Sequence, residues 1–191
     1  MAMPLDEYKY AYYQTLRLEA RSAVVKALNR RAKEQTDRST WSGLSLASIS
    51  SEAIEYSRIE WPKNYSGDTY QALPFSWEHL FYSYLRSPAH FNIAVWQTVG
   101  EEKILRGMAL GRPSKAMRHL SLNWIERARA SPSFKGGILL PILASAEQYA
   151  KLIGCERILV KNPVDPAEFA QYGYTPSDLA PKGATYLGKE I

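Results

Sequence analysis

Residues 119–154 read HLSLNWIERARASPSFKGGILLPILASAEQYAKLIG, and this stretch decides the fold. Apolar and polar residues alternate from His119 to Ile125, which predicts a strand with one buried face. From Leu139 to Ile153 the apolar residues recur at steps of three and four, which predicts an amphipathic helix. Pro141 lies in the first turn of this helix, where its missing N–H costs little, and Gly154 provides the C-terminal end. The stretch therefore predicts a strand, a turn and a long helix.

Shorter elements on both sides extend this unit into a sheet. Two strands precede it, at Phe91–Trp96 and Ile104–Gly111, with a turn at Gly100, so three consecutive strands are predicted to form an antiparallel meander. The residues after the long helix contain a fourth strand, a short helix and a last strand, at Arg157–Val160, Asp165–Tyr172 and Thr185–Leu187.

The first 90 residues are predicted to be mainly helical. Three helices are expected there, at Leu5–Glu34, Leu44–Tyr56 and Ser76–Leu85. The second would start at a capping Ser48 or Ser50, and Pro62–Pro74 would form a long irregular connection. The sequence thus predicts an α+β fold with a mixed sheet, built on an antiparallel meander and flanked by helices. Residues 1–90 would be a helical extension of a core at 91–191, in one continuous domain.

Composition limits the class of protein. The 191 residues carry a net charge of +5 and one cysteine, Cys155, which excludes an internal disulfide and fits a reducing cytoplasm. We interpret Cys155 as a small buried apolar residue. The start of the chain does not resemble a secretion signal, and no apolar run is long enough to span a membrane, so we expect a cytoplasmic protein without a membrane segment. The three histidines have no metal-ligand spacing, so no metal is expected.

The turn before the long helix has the features of an anion site. Phe134-Lys135-Gly136-Gly137 opens the helix, whose first N–H groups and dipole favour negative charge. Consecutive glycines let a phosphate approach the backbone closely, and Lys135, Arg127 and Arg129 could add positive charge. Eight Lys or Arg residues lie between Lys103 and Lys135, with Glu126 as the only acid between them. The pattern is neither a P-loop nor a dinucleotide fingerprint, and many such turns bind nothing.

Residues 91–174 resemble the Gcn5-related N-acetyltransferase superfamily. The resemblance begins in Glu126–Gly137, which is similar to the segment that holds the pyrophosphate of coenzyme A in that family. It continues in order and spacing through Ala146–Ala150, Gly154-Cys155, Arg157–Val160, Asn162, Phe169 and Gly173-Tyr174. The resemblance implies an acyl-coenzyme A cosubstrate, acetyl-CoA in the simplest case, and no metal. The residues it implies for binding the cosubstrate are Ala128, Arg129, Ala130, Lys135, Gly136, Gly137, Ile138, Leu139 and Asn162.

Two residues depart from the family pattern. Leu139 stands where the family's loop usually ends in glycine, which leaves less room for phosphate. Phe169 stands where the family often has the tyrosine that protonates the departing thiolate, and phenylalanine cannot transfer a proton. Tyr172 or Tyr174 is a candidate replacement for that acid, and a role as packed aromatics is the alternative. Glu126, at the end of the central strand, is the candidate base for the acceptor amine, with a surface ion pair as the alternative.

The resulting function is transfer of an acyl group from coenzyme A to an amine by direct attack. Residues 1–90 would contribute the acceptor pocket through an aromatic set that includes Trp61, Phe75 and Trp77. The acceptor could be a small amine, a protein, an RNA-linked amino group or a nucleobase, and oligomerisation is open. One alternative is a non-catalytic nucleic-acid-binding protein, whose basic and aromatic residues hold phosphates and stack bases. Another is a protein that binds coenzyme A without catalysis.

Overall fold

The elements predicted around residues 119–154 are present in a computed structural model, which describes residues 5–34, 41–64, 73–128, 137–179 and 183–191. Within those ranges the chain forms five α-helices, one short 3-10 helix and seven strands. In chain order they are α1 (Leu5–Glu34), β1 (Leu44–Ala47), α2 (Ser51–Ile59), the 3-10 helix (Trp61–Asn64), α3 (Trp77–Leu85), β2 (Phe91–Val99), β3 (Glu102–Pro113), β4 (His119–Arg127), α4 (Leu139–Leu152), β5 (Arg157–Lys161), α5 (Pro166–Ala170), β6 (Thr175–Pro176) and β7 (Tyr186–Glu190).

The seven strands form one mixed sheet in the order β1-β2-β3-β4-β5-β7-β6. Strands β2, β3 and β4 make the predicted antiparallel meander. All neighbouring strands in the described ranges are antiparallel except β4 and β5, which are parallel because α4 crosses over between them. The predicted α+β fold with a mixed sheet is confirmed.

Strands β4 and β5 separate towards their C-terminal ends. They pair only over His119–Leu122 and Arg157–Val160, although β4 continues to Arg127. The register between β3 and β4 shifts at this point, since Leu110 pairs with Trp124 and Gly111 with Leu122, which leaves Asn123 as an extra residue in β4. Such a bulge bends its strand. A gap between β4 and β5 therefore opens just where the ladder ends.

The two faces of the sheet bury two different sets of apolar side chains. One face packs against α1 and α4 and contains Phe91, Ile93, Leu120, Leu122, Ile142 and Tyr149. The other packs against α2 and α3 and contains Ala94, Trp96, Leu105, Met108, Trp77 and Leu80. Successive side chains of β2 and β3 point to opposite faces of the sheet. Each face therefore has an apolar surface against which helices pack.

The first 90 residues differ from the prediction at two places. Leu44–Ala47 is a strand and not the start of a helix, because it pairs with β2 at the edge of the sheet. The helix begins at Ser51, where Ser50 caps it and its Oγ accepts from the N–H of Ala53 at 3.3 Å. The predicted irregular connection contains the 3-10 helix Trp61–Asn64.

Strand β6 was not predicted, since two residues are too short to show a pattern.

Helix α1 buries two arginines. Arg17 is only 1% exposed and donates to the carbonyl oxygens of Pro88 at 2.9 Å and His90 at 2.7 Å. Arg21 donates to the carbonyl of Asn92 at 3.3 Å. These guanidinium groups hold α1 against the segment that enters β2. Among the described residues, no helix is long and apolar enough to cross a membrane.

Candidate active site

The gap between β4 and β5 is a cavity of about 520 Å³. Its walls are Asn123–Ile125 and Arg127 of β4, the start of α4, and the segment from Val160 to Phe169. Leu122, at the bottom of the gap, is fully buried. The bulge at Asn123 thus creates a site in the middle of the sheet, where backbone groups of β4 have lost their neighbouring strand.

The open side of β4 presents backbone N–H groups to this cavity. The N–H of Ala128 donates to the carbonyl of Arg106 on β3 at 2.9 Å. Hydrogen-bonding groups alternate in direction along a strand, so the N–H groups of Ile125 and Arg127 point to the opposite side, where β5 has diverged. Both residues line the cavity. They are therefore placed to donate to a ligand in the gap.

The beginning of α4 faces the same cavity. Ile138, which precedes the helix, and Leu139, its first residue, both line the cavity. Ile138 makes no side-chain cap, the first N–H groups of a helix lack acceptors within it, and Pro141 has no N–H. The dipole adds positive potential at this end. The start of α4 therefore forms a wall of the cavity with positive potential.

Apart from Asn162, the other residues implied for cosubstrate binding either do not line the cavity or lie outside the described residues. Ala128 is buried in the core under α2 and α3 and does not line the cavity. Gly137 is buried and does not line it either. Arg129, Ala130, Lys135 and Gly136 lie outside the described residues.

Asn162 lines the cavity and also shapes it. It has a positive φ of 48°, and its Oδ1 accepts from the N–H of Thr185 at 2.9 Å. Its own N–H donates to the carbonyl of Thr185 at 2.7 Å. Asn162 therefore ties the end of β5 to the approach of β7, and its side-chain NH₂ is the group with which it would contact a cosubstrate.

The aromatic residues near α5 occupy three different environments. Phe169 lines the cavity, at the position where a tyrosine was sought. Tyr174 is buried, its hydroxyl donates to Glu147 at 3.0 Å, and burial with the nearby carboxylate raises its pKa. Tyr172 packs against the core and does not line the cavity, and burial followed by the charge of Glu168 raises its pKa. The fold does not bring either candidate acid to the cavity wall.

The basic cluster seen in the sequence is separated by the antiparallel strands. Lys103 pairs with Glu52 at 2.7 Å at the start of β3, and near the other end of that strand the guanidinium of Arg112 lies 3.9 Å from the centre of the Tyr84 ring. Two more members, in the turn between β3 and β4, lie at the opposite end of β4 from the gap. Among the described members of the cluster, Arg127 is the one that lines the cavity.

A second cavity, of about 290 Å³, lies on the α2 and α3 side of β4 and contains Glu126. The indole N–H of Trp77 donates to Oε2 of Glu126 in a short hydrogen bond. Leu73 lines both cavities, and Glu126 in one is adjacent in sequence to Arg127 in the other. The two cavities therefore lie on either side of the end of β4 and share Leu73 as a lining residue. Sequence reasoning missed the contact between Trp77 and Glu126, because these residues are 49 positions apart and no pattern joins them.

Cys155, His90 and His119 do not line either cavity. Cys155 is buried, which raises the pKa of its thiol to about 11, as expected for an unreactive residue. His90 is buried beside Arg17, and His119 is half-buried at the start of β4. In the part of the chain that the structure describes, no group of three or more His, Cys, Asp or Glu side chains is arranged to hold a metal ion.

Similarity to known proteins is found in structure and not in sequence. No family model matches the sequence, and no curated protein matches it. Solved structures do match. Ard1 from Thermoplasma volcanium superposes with a TM-score of 0.56 at 11% identity, over 78% of this chain and 98% of that one. Spermidine N-acetyltransferase from Vibrio cholerae, solved with CoA and spermine, gives 0.50 at 13% identity, over 78% and 95%.

An acetyltransferase of the GNAT family from Listeria monocytogenes superposes with a TM-score of 0.51 at 14% identity, over 80% of this chain and 98% of that one. The chain therefore has the fold of the Gcn5-related N-acetyltransferase (GNAT) superfamily.

Proposed function

We propose that this protein is an acyl-CoA-dependent N-acyltransferase, with acetyl-CoA as the simplest donor. The observation that carries the proposal is the start of α4 opening on the gap between β4 and β5. The pyrophosphate of the donor would lie at the first N–H groups of the helix, with Arg127 on the cavity wall and Lys135 and Arg129 as the further cations proposed to contact it. Gly136, Gly137 and Ala130 would shape the turn that lets it approach.

The pantetheine arm would lie in the gap and replace the missing strand. The N–H groups of Ile125 and Arg127 would donate to its carbonyl oxygens, and one of them would stabilise negative charge on the thioester oxygen during transfer. The side-chain NH₂ of Asn162 would hold the arm from the β5 side. The apolar wall formed by Leu122, Val160 and Phe169 would exclude water from the thioester.

The acceptor amine would enter the smaller cavity, on the other side of β4. Its nitrogen attacks the thioester carbonyl, the new C–N bond forms, and the C–S bond breaks as the thiolate leaves. Glu126 would take the amine proton, directly or through a water. The hydrogen bond from Trp77 fixes the orientation of its carboxylate. Tyr172 was the candidate acid for the thiolate, and its position away from the cavity leaves that proton to solvent.

Thermal unfolding with acetyl-CoA tests donor binding without any knowledge of the acceptor. A ligand that binds only the folded state at a hundredfold excess over its Kd stabilises by about 2.7 kcal/mol. Leu139→Glu places a carboxylate where the phosphates would lie, and we expect it to abolish the stabilisation. Leu140→Glu is the matched control, because Leu140 is also half-buried in the first turn but does not line the cavity. Equal stabilisation of both variants, or none of the wild type, would contradict the proposal.

Glu126→Gln tests the base. It should keep the acetyl-CoA stabilisation and lower kcat by about 10²-fold or more, which thiol release would report in the presence of an amine. Unchanged kcat would remove Glu126 from the mechanism.

A further inference from the structure

The smaller cavity has aromatic walls and few charges. Its lining includes the rings of Trp61, Phe75 and Trp77 and the apolar side chains of Ile54 and Leu73. Its charged members among the described residues are two carboxylates and one guanidinium, those of Glu78, Glu126 and Arg58. Arg58 is already paired with Glu55 at 2.5 Å. The cavity thus offers one inner carboxylate, Glu126, and one at its exposed rim, Glu78.

Both tryptophans direct their polar atoms into the protein. The indole N–H of Trp61 donates to the carbonyl of Leu105 at 3.0 Å, and that of Trp77 donates to Glu126. Because both N–H groups are occupied, the rings present apolar surface to the cavity and no further donor. A ligand with many hydroxyl or amino groups would find few partners on these walls, and each unpaired polar group would lose its hydration.

Phe75 extends this apolar surface to the mouth of the cavity. It is 51% exposed, although it is a large apolar side chain, and it stacks on His79 with ring centres 5.2 Å apart. It also contacts Trp124 edge to face at 6.4 Å, so its position is fixed on two sides. An exposed aromatic ring held rigidly beside a cavity is a platform for a flat apolar group.

The volume and position limit the ligand further. About 290 Å³ is at the lower end of the range for small-molecule sites, so a small ligand fits. The carboxylate of Glu126 lies beside the end of β4, next to the wall of the donor cavity. An ammonium group would be drawn to this end, and the tryptophan faces would add cation–π attraction. The rest of the ligand would lie between the aromatic walls.

We propose that the acceptor is a primary amine with a single positive charge carried on a flat, apolar body, as in an arylalkylamine, and not a polyamine or an aminosugar. This assignment rests on the proposed function and names the substrate class of the same site. In the reaction the ammonium gives one proton to Glu126, and the neutral nitrogen then attacks the thioester carbon; the C–N bond forms, the C–S bond breaks, and the second nitrogen proton passes through solvent to the departing coenzyme A thiolate. Polycations require several carboxylates along their length, which the described walls do not supply.

Turnover with three probe amines tests the substrate class. Phenethylamine, spermidine and kanamycin are each supplied with acetyl-CoA, and thiol release is followed. We expect kcat/KM for phenethylamine to exceed that for either polycation by at least about tenfold. In parallel, phenethylamine should shift the indole N–H resonance of Trp77, assigned from a Trp77→Phe spectrum, at about 1–10 mM. Higher kcat/KM with spermidine or kanamycin overturns the proposal, as does an unmoved resonance.

Charged substitutions on α2 test whether the amine binds in the smaller cavity. Ile54→Lys places a cation in the cavity and should raise KM for phenethylamine at least about tenfold while leaving stabilisation by acetyl-CoA unchanged. Ile59→Lys is the matched control, because Ile59 lies on the same helix, is 43% exposed and does not line the cavity. Ile54→Glu should shift the preference towards spermidine. Equal effects of the lysine variants, or no change in preference with Ile54→Glu, overturn the assignment to this cavity.

Stabilisation by acetyl-CoA distinguishes failure of the proposed substrate class from failure of the proposed function. If acetyl-CoA stabilises the protein but phenethylamine is neither bound nor acylated, the substrate class is wrong and the proposed function stands. If acetyl-CoA gives no stabilisation and no amine releases thiol, the proposed function fails and the substrate class fails with it.

Discussion

Gly107 on β3 is the position where a single methyl group should disturb the cosubstrate site. A Cβ added there would lie 1.7 Å from Cδ1 of Ile138, the residue that precedes α4, and 2.7 Å from the carbonyl oxygen of Glu126. Carbon atoms in contact lie about 3.5–4.0 Å apart. Gly107→Ala therefore cannot be accommodated unless Ile138 moves, and Ile138 is only 2% exposed.

These contacts set the expected change in the free energy of unfolding. Overpacking of a filled core costs about 1–3 kcal/mol, and replacing a strand glycine with alanine returns about 0.5–1 kcal/mol of backbone entropy. The carbonyl of Glu126 lies beside β3, in the part of β4 that pairs with it, so it cannot retreat freely. We expect Gly107→Ala to lower the free energy of unfolding by about 1–2 kcal/mol. It should also weaken stabilisation by acetyl-CoA, because displacement of Ile138 moves the start of α4.

Urea unfolding measures the first effect, and a double-mutant cycle identifies its cause. Ile138→Val removes Cδ1 and alone should cost about 0.5–1.5 kcal/mol. In the Gly107→Ala background it should cost less or even stabilise, because it relieves the closest contact. Gly188→Ala is the control, since its three nearest contacts are at 3.2–3.4 Å and two of them are atoms of the small side chain of Ser177. Additive effects, or a Gly107→Ala protein as stable as the wild type, would refute the proposed packing.

Three further predictions concern other parts of the molecule. Burial and then Arg17 lower the pKa of His90 to about 4, below its ordinary value of 6.5, so the unfolded chain binds the extra proton between these values. Stability should therefore be lost as pH falls through this range, by up to about 3 kcal/mol, and urea unfolding of His90→Asn should show a smaller loss. Trp61→Phe removes the buried donor to the carbonyl of Leu105 and should cost about 1–3 kcal/mol in the same assay. Phe169→Tyr should raise kcat for thiol release by supplying a proton donor on the cavity wall, whereas Tyr172→Phe should change it by less than about threefold, and a large loss in Tyr172→Phe would restore that residue as the acid.

The elements with strong local periodicity could be predicted from sequence alone. Helix α4 has seven apolar positions at helical spacing, a proline in its first turn and Gly154, whose φ of 81° only glycine adopts readily, at its end. Residues His119–Ile125 of the meander alternate apolar and polar side chains, and Ser50 and Ser76 cap the helices that follow them. Each of these features acts within one or two turns of chain, so no distant partner is needed to read it.

Elements that depend on distant partners could not be predicted in this way. Leu44–Ala47 has no strand pattern of its own and becomes a strand only because β2 offers an open edge. Arg17 and Arg21 have the spacing of an amphipathic helix, but their burial requires the carbonyl groups at the entry to β2, about 70 residues away along the chain. Nothing near them in sequence indicates those acceptors.

The candidate site also combines features that local sequence predicts with features that depend on distant contacts. The sequence by itself predicted that a helix with Leu139 on its apolar face follows Gly136-Gly137, and that Glu126 lies at the end of the central strand, because periodicity and strand length are local. Only the tertiary structure decided that β4 and β5 separate, that Trp77 reaches Glu126, and that Tyr172 does not line the gap. Antiparallel strands carry residues that are close in sequence to opposite ends of the sheet and bring distant ones together, so the composition of a site is set by strand register and not by sequence proximity.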